Sequence, residues 1–341
     1  MSACASFFGE TKSGEPVTAY TISGVGGMRA VLLDYGATLQ ALAVPDARGV
    51  PTDVVLGYDS VEEYEENSGF VGATIGRVGN RIGAARFSLG GRTYMLEAND
   101  GENHLHGGRR GFDKRVWQAE QGEGYVRFSR LSPDGEENYP GDLRVSVTYK
   151  IDGDNALHII YDADADKDTL ANFTNHSYFN LNGGGSVLSQ QLRINAERFT
   201  ELGAGTLPTG RILPVEGTPL DFRTLKPVGR DVGEDDPQLA LGGGYDHNFV
   251  LSSPHAAVLR SEQSGIEMNV YTDMPGVQLY SANFLSERRG KGGQIIGPRC
   301  AVCLETQLYP NAMNCWGFPS PVLHRGEHLH SETCYAFAAF D

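Results

Sequence analysis

An apolar run, Ala301, Val302, Cys303 and Leu304, is interrupted by Glu305. A carboxylate on a buried strand costs free energy unless it is paired or used. Partial burial raises its pKa toward the range of a working base. The ordinary alternative is a strand-end glutamate in a salt bridge. A second segment, 172–181, places Asn172, Thr174, His176, Tyr178 and Asn180 on one face of an extended chain; Phe173, Asn175, Ser177, Phe179 and Leu181 take the other. A face of amide, hydroxyl, imidazole and phenol makes a poor core surface, because each buried polar atom needs a partner. It suits a sugar, with its many hydroxyls and apolar ring face. A solvated sheet surface accounts for the same pattern.

Further polar groups are scattered along the chain. In 101–108, His104 and His106 share one face of an extended turn, and Gly107-Gly108 presents His106. His-x-His invites a metal, but no third ligand follows at short spacing. His324, His328 and His330 form a second loose group, again without a complete ligand set, so no metal is expected. The segment 76–83 has glycines but no GxGxxG, which excludes a nucleotide loop and leaves Asn80 and Arg81 as hydrogen-bond donors. Asp246 stands in a turn before a strand, and Gln278 faces opposite to Val277 and Leu279. Each of these four is also compatible with an ordinary surface. Together they offer an acid, a base and several donors, with no serine or cysteine nucleophile constellation. Proton transfer of that kind needs a carboxylate and an imidazolium at one pH, and a nearby carboxylate raises a histidine pKa.

Strands must carry these residues. In 143–151, apolar Leu143, Val145, Val147, Tyr149 and Ile151 alternate with Arg144, Ser146, Thr148 and Lys150, a half-buried strand with one wet face. Comparable runs occupy 17–23, 125–130, 157–161, 191–196, 266–272, 277–284, 300–309 and 333–340. Glycine clusters at 183–185, 242–244 and 290–293 punctuate them, and the 44 glycines fit many tight turns. Residues 60–66 form a short acidic helix candidate. Strands without interleaved long helices imply an all-β, antiparallel architecture. The Pro- and Gly-rich stretch 203–237 reads as an excursion beside a site rather than a domain boundary.

The 341 residues carry a net charge of −15, which disfavours nucleic acid and anionic membrane partners. Five cysteines do not make a disulfide framework, and Cys300 and Cys303 read as buried free thiols. The N-terminus lacks the basic and apolar regions of a signal peptide, and no apolar stretch is long enough to span a membrane. The cytoplasm is the default expectation.

Seven ordered blocks carry a resemblance. They are IGRVGNRI (75–82), NHLHGG (103–108) with GFDKRVW (111–117), NHSYFNL (175–181), 208–212 with 220–223, YDHNFVL (245–251), PGVQLYSANFL (275–285) and LETQLYPNAMN (304–314). In this order they resemble the aldose 1-epimerase, or galactose mutarotase, family. The resemblance implies one domain over 1–341, folded as a large antiparallel β-sandwich with few short helices and a sugar site on an open face. It implies cofactor-free interconversion of the α- and β-anomers of a free aldohexose such as galactose or glucose. The expected partner is a monosaccharide, with no nucleic acid or membrane, and the expected assembly is a monomer or homodimer.

Family roles carry over to matching positions: Glu305 as general base, His176 as general acid and His106 as second active-site histidine. Asn80 and Arg81 match sugar-binding donors, Asp246 and Gln278 match residues that hold sugar hydroxyls, and Tyr178 edges the polar face. Gly79 stands where the family often has alanine, and Leu308 and Asn311 replace a histidine and an aspartate, departures that bear on substrate preference. Three other readings share these residues: a non-catalytic sugar-binding protein, a glycoside hydrolase pairing Asp246 with Glu305, and a mutarotase for a phosphorylated hexose, which would gather more cations than Arg81.

Overall fold

The computed structural model describes residues 3–66, 69–153 and 155–340; Met1 and Ser2, at the start of the N-terminal reading, lie outside them. Two sheets face each other. The larger has nine strands, in the order Gln118–Gly122, Tyr125–Ser132, Leu143–Ile151, Ala156–Ala165, His328–Ala339, Ile266–Thr272, His255–Ser261, Gln191–Ile194 and Lys226–Pro227. The smaller has six: β1 (Tyr178–Phe179), β2 (Arg198–Leu202), β3 (Pro208–Pro214), β4 (Asp246–Val250), β5 (Gly276–Tyr280) and β6 (Val302–Gln307). They are hydrogen-bonded in the order β1-β6-β5-β4-β2-β3, every pairing antiparallel. A five-stranded sheet built from Ala3–Glu10, Pro16–Ser23, Arg29–Leu33, Thr38–Pro45 and Pro51–Asp53 packs against both.

The expected alternation is realised. Along Leu143–Ile151 the five apolar side chains are buried while Arg144 and Lys150 are exposed; Ser146 is buried as well. One hydrophobic cluster draws Val145 and Val147 of the nine-stranded sheet, Leu279 and Leu304 of the six-stranded sheet, and Leu32 and Leu42 of the third into a single core. Burial of that apolar area is the main drive for the arrangement.

Two α-helices occur among the described residues, Val61–Glu66 and Pro237–Gly242. The first was legible: Ser60 and Glu63 exchange hydrogen bonds between side chain and backbone, a capping box. The second lies at the end of the 203–237 stretch and was missed. Asp236 caps it by accepting from the amides of Gln238 and Leu239, Pro237 opens it, and Gly243 closes it in the left-handed region. Among the described residues no helix is long and apolar enough to cross a membrane.

Candidate active site

Strand β6 has two faces because side chains alternate. Val302 and Leu304 point into the core, where the Tyr335 hydroxyl donates to the Leu304 carbonyl at 3.1 Å. Cys303 and Glu305 therefore share the opposite face. The antiparallel register sets their neighbours: Gln278 stands opposite Glu305, Asn248 opposite Gln278, Tyr178 and Tyr280 opposite Cys303, and Asp246 opposite Tyr280. A polar patch thus spans four adjacent strands. Above it opens a cleft of about 870 Å³ whose walls include Glu305, His176, His106, Arg81 and Asp246. A second cleft of about 880 Å³, over Arg127, Arg144 and Asp162, contains none of these groups.

Glu305 and His176 are both buried, and Nε2 of His176 lies 3.8 Å from Oε1 of Glu305. His106 completes a trio in which one ring nitrogen or carboxylate oxygen from each residue lies within 4.8 Å of the others. Two histidines and a carboxylate at that spacing raise the question of a metal. The hydrogen bonding argues against it. The amide of Asn80 donates to Nδ1 of His106 at 3.2 Å, so the hydrogen of the neutral ring stays on Nε2. A metal-binding histidine has the reverse arrangement, with its outer N–H donating and its inner nitrogen bare. A sugar oxygen, which accepts, fits the Nε2–H.

Burial governs the titration. It pushes the Glu305 carboxyl well above the usual range, an effect increased by Asp246 and opposed by Arg81. It lowers His176 to about 4 and His106 well below its ordinary value. The expectation that a carboxylate neighbour would raise the histidine is therefore corrected: desolvation by burial dominates at this depth. Burial thus favours the uncharged forms of both groups, the carboxylic acid of Glu305 and the neutral imidazole of His176. Oε2 of Glu305 is buried and has no hydrogen-bond partner among the described residues.

The remaining expected residues surround this pair. Arg81 donates from Nε to Asp100 at 2.7 Å, and its Nη1 lies 4.0 Å from Asp246. Asp246 accepts from Gln278 at 2.7 Å, and burial raises its pKa. Gln278 belongs to the patch but is not part of the cleft wall; Asn80 is in the wall, and its backbone fixes His106. Tyr178 stacks on His176 at 5.0 Å, while its hydroxyl is committed to the Gly69 carbonyl at 2.8 Å. Gly107 adopts φ +82, and a Cβ there would collide with the Gly76 carbonyl, so glycine is required to seat the His106 turn.

Segment 172–181 is buried throughout rather than solvated, and only His176 and Tyr178 of its polar face reach the cleft. Asn172 and Asn180 brace backbone carbonyls of Leu308 and Cys300. His104 bonds the Glu97 carbonyl and the Tyr139 hydroxyl beneath a satellite core. His324, His328 and His330 pair with Asp168, Asp164 and Asp162 on the exposed side of the molecule. Sequence reading missed Phe70, whose ring lies 4.6 Å from His106 and 5.8 Å from His176. It also missed Tyr280, Leu207 and Leu241 in the cleft wall. The 203–237 stretch does contribute to the cleft, through Ala204 to Leu207.

A buried carboxylate and imidazole side by side on a sandwich face, under a cleft, can pass protons to and from a bound molecule. Known proteins similar to this chain specify the reaction. The chain belongs to the aldose 1-epimerase family, whose model matches residues 18–336. It is 40% identical over 345 residues to the galactose mutarotase of Sus scrofa, covering 99% of each chain. It is 36% identical over 335 residues to the aldose 1-epimerase of Escherichia coli strain K12, covering 96% of each. The crystal structure of galactose 1-epimerase from Lactobacillus acidophilus NCFM superposes with a TM-score of 0.89 at 30% identity, over 100% of both chains. The protein is an isomerase that interconverts the anomers of an aldose.

Proposed function

We propose that this chain, acting as one domain in the cytoplasm, interconverts the anomers of free galactose or glucose, with Glu305 as base and His176 as acid. The observation that carries the assignment is the 3.8 Å separation of the two side chains. The two oxygens to be served, the C1 hydroxyl and the ring oxygen, are bonded to one carbon, so base and acid must stand this near each other.

Glu305 takes the proton of the C1 hydroxyl while His176 gives a proton to the ring oxygen, and the C1–O5 bond breaks to the aldehyde. Rotation about C1–C2 presents the other carbonyl face. Reclosure runs the two transfers in reverse. No electron or atom leaves the sugar, so the balance requires no cofactor. The reactive form is carboxylate plus imidazolium, which holds the same number of protons as the resting form. Sugar hydroxyls donating to the unpartnered Oε2 stabilise the carboxylate. Ring opening then leaves a neutral acid and a neutral imidazole, the pair that burial favours, so desolvation assists the opening step.

His106 offers a fixed Nε2–H, and Arg81, Asn80, Asp246 and Gln278 orient the sugar hydroxyls directly or through one another. Tyr178 supports the face of His176. Polarimetry of freshly dissolved α-galactose or α-glucose tests the reading. His176→Asn should retain the fold and lose about 10²–10⁴-fold in rate; near-normal turnover would refute the acid assignment.

A further inference from the structure

Cys303 makes the contact with His176 that the mechanism above leaves unexplained. Its Sγ lies 3.5 Å from Nδ1 of His176, and both residues are buried. The register fixes this placement: Cys303 is paired with Tyr178 on one side and Tyr280 on the other, and it sits two residues from Glu305 on the same strand face. Tyr178 and Tyr280 pack their rings at 5.0 and 6.3 Å from the imidazole, and His106 approaches at 5.2 Å. The titratable groups facing His176 are thus Glu305, His106, the two tyrosines and this thiol, with the ring of Phe70 stacked beside them. On the Nδ1 side the hydrogen-bond partner among the described residues is the thiol.

The two active-site histidines are held differently. His106 meets a backbone N–H, which only donates, so its Nδ1 cannot take a proton without losing that bond. A thiol both donates and accepts. When His176 has given its Nε2 hydrogen to the ring oxygen, its remaining hydrogen is on Nδ1 and can donate to sulfur. When the neutral ring keeps its hydrogen on Nε2, the S–H can turn and donate to Nδ1. Burial and the nearby Glu305 hold Cys303 as the thiol rather than the thiolate, which preserves both options.

We propose that Cys303 is a positioning residue for His176, a reversible hydrogen-bond partner at Nδ1 that keeps Nε2 directed at the reacting sugar through both ring opening and reclosure. The proposal rests on His176 being the acid. It assigns no chemistry to sulfur itself, and no bond to sulfur forms or breaks.

The test compares Cys303→Ala and Cys303→Ser with the wild type by polarimetry across pH, with thermal melting as a check on folding. Cys303→Ala should lower kcat about three- to tenfold, the effect of one neutral hydrogen bond, with KM little changed. It should also move the acidic limb of the kcat profile to lower pH, because the protonated ring loses its acceptor. Cys303→Ser, which keeps a donor and acceptor, should restore most of both. A wild-type profile in Cys303→Ala would overturn the proposal, as would an equal loss in both variants, which would mark a packing effect. Nitrogen-15 NMR of the wild-type imidazole gives a readout independent of any variant: an Nδ1 shift typical of a nitrogen without a hydrogen bond would also overturn it. If His176→Asn is inactive while Cys303→Ala is normal, this inference alone fails. If His176→Asn is active, the acid assignment fails with it.

Discussion

Gln278 donates to Asp246 at 2.7 Å while standing directly across the strand pairing from Glu305. One amide thus braces the carboxylate that faces Arg81 and lies beside the base. Gln278→Ala would leave a buried oxygen of Asp246 without its donor. An unpaired buried acceptor costs about 1–3 kcal/mol. The variant should raise KM for galactose by about tenfold, with a smaller change in kcat, read by polarimetry over a substrate range. A fall in kcat alone would place Gln278 in the chemical step instead.

His106 and His176 should respond differently to substitution. His106 is held as a neutral donor by the Asn80 amide, so His106→Gln, which retains a side-chain N–H, should lower kcat/KM by about 10- to 100-fold. The pH at which activity is half lost on the acid side should stay unchanged. A shift of that limb would show that His106 carries the titrating proton.

With Glu305 as the proposed base and His176 as the proposed acid, activity requires the pair to hold one transferable proton. A second proton loads onto His176 with a pKa of about 4, so the rate should fall as pH drops through about 4. On the basic side the pair loses its only proton at a pH set by the raised Glu305, so the rate should hold well above the ordinary carboxylate range. A profile of kcat from pH 3 to 9 checks both limbs. An acidic limb near 6.5 would mean that His176 titrates as an ordinary, solvated histidine.

Glu305→Gln should remove turnover and alter stability in a pH-dependent way. The folded-state pKa of Glu305 lies above its unfolded value. Its contribution is therefore fully present below about pH 4.5 and is lost as pH rises toward the folded pKa. Glutamine carries no such penalty. The melting temperature of the variant relative to the wild type should increase from pH 5 to pH 8, by a few °C for a chain of this size. Parallel melting curves at both pH values would contradict the burial of an ionisable Glu305.

The fold and the candidate pair were legible through period-two alternation and through the ordered motif blocks. The alternation showed that Glu305 interrupts a core strand and that His176 and Tyr178 share a face. It could not show how deep that face lies, and so the direction of the His176 shift was misread. The Cys303–His176 contact was invisible because it depends on the pairing of β6 with β1, a register that no local pattern states. Phe70, Leu207 and Leu241 reach the cleft from connecting segments, where spacing has no period to read.

Glu305 is mounted on β6, whose other face is fastened to the nine-stranded sheet through Tyr335 and Leu304. The wall of the cleft, by contrast, includes the 69–70 and 204–207 connections and Leu241 at a helix end. Amides of Val302–Gln307 should consequently exchange with solvent deuterium only when the whole molecule opens, while these connections open locally and often. Preference among sugars can then be remodelled there without disturbing the anvil on which the proton is passed.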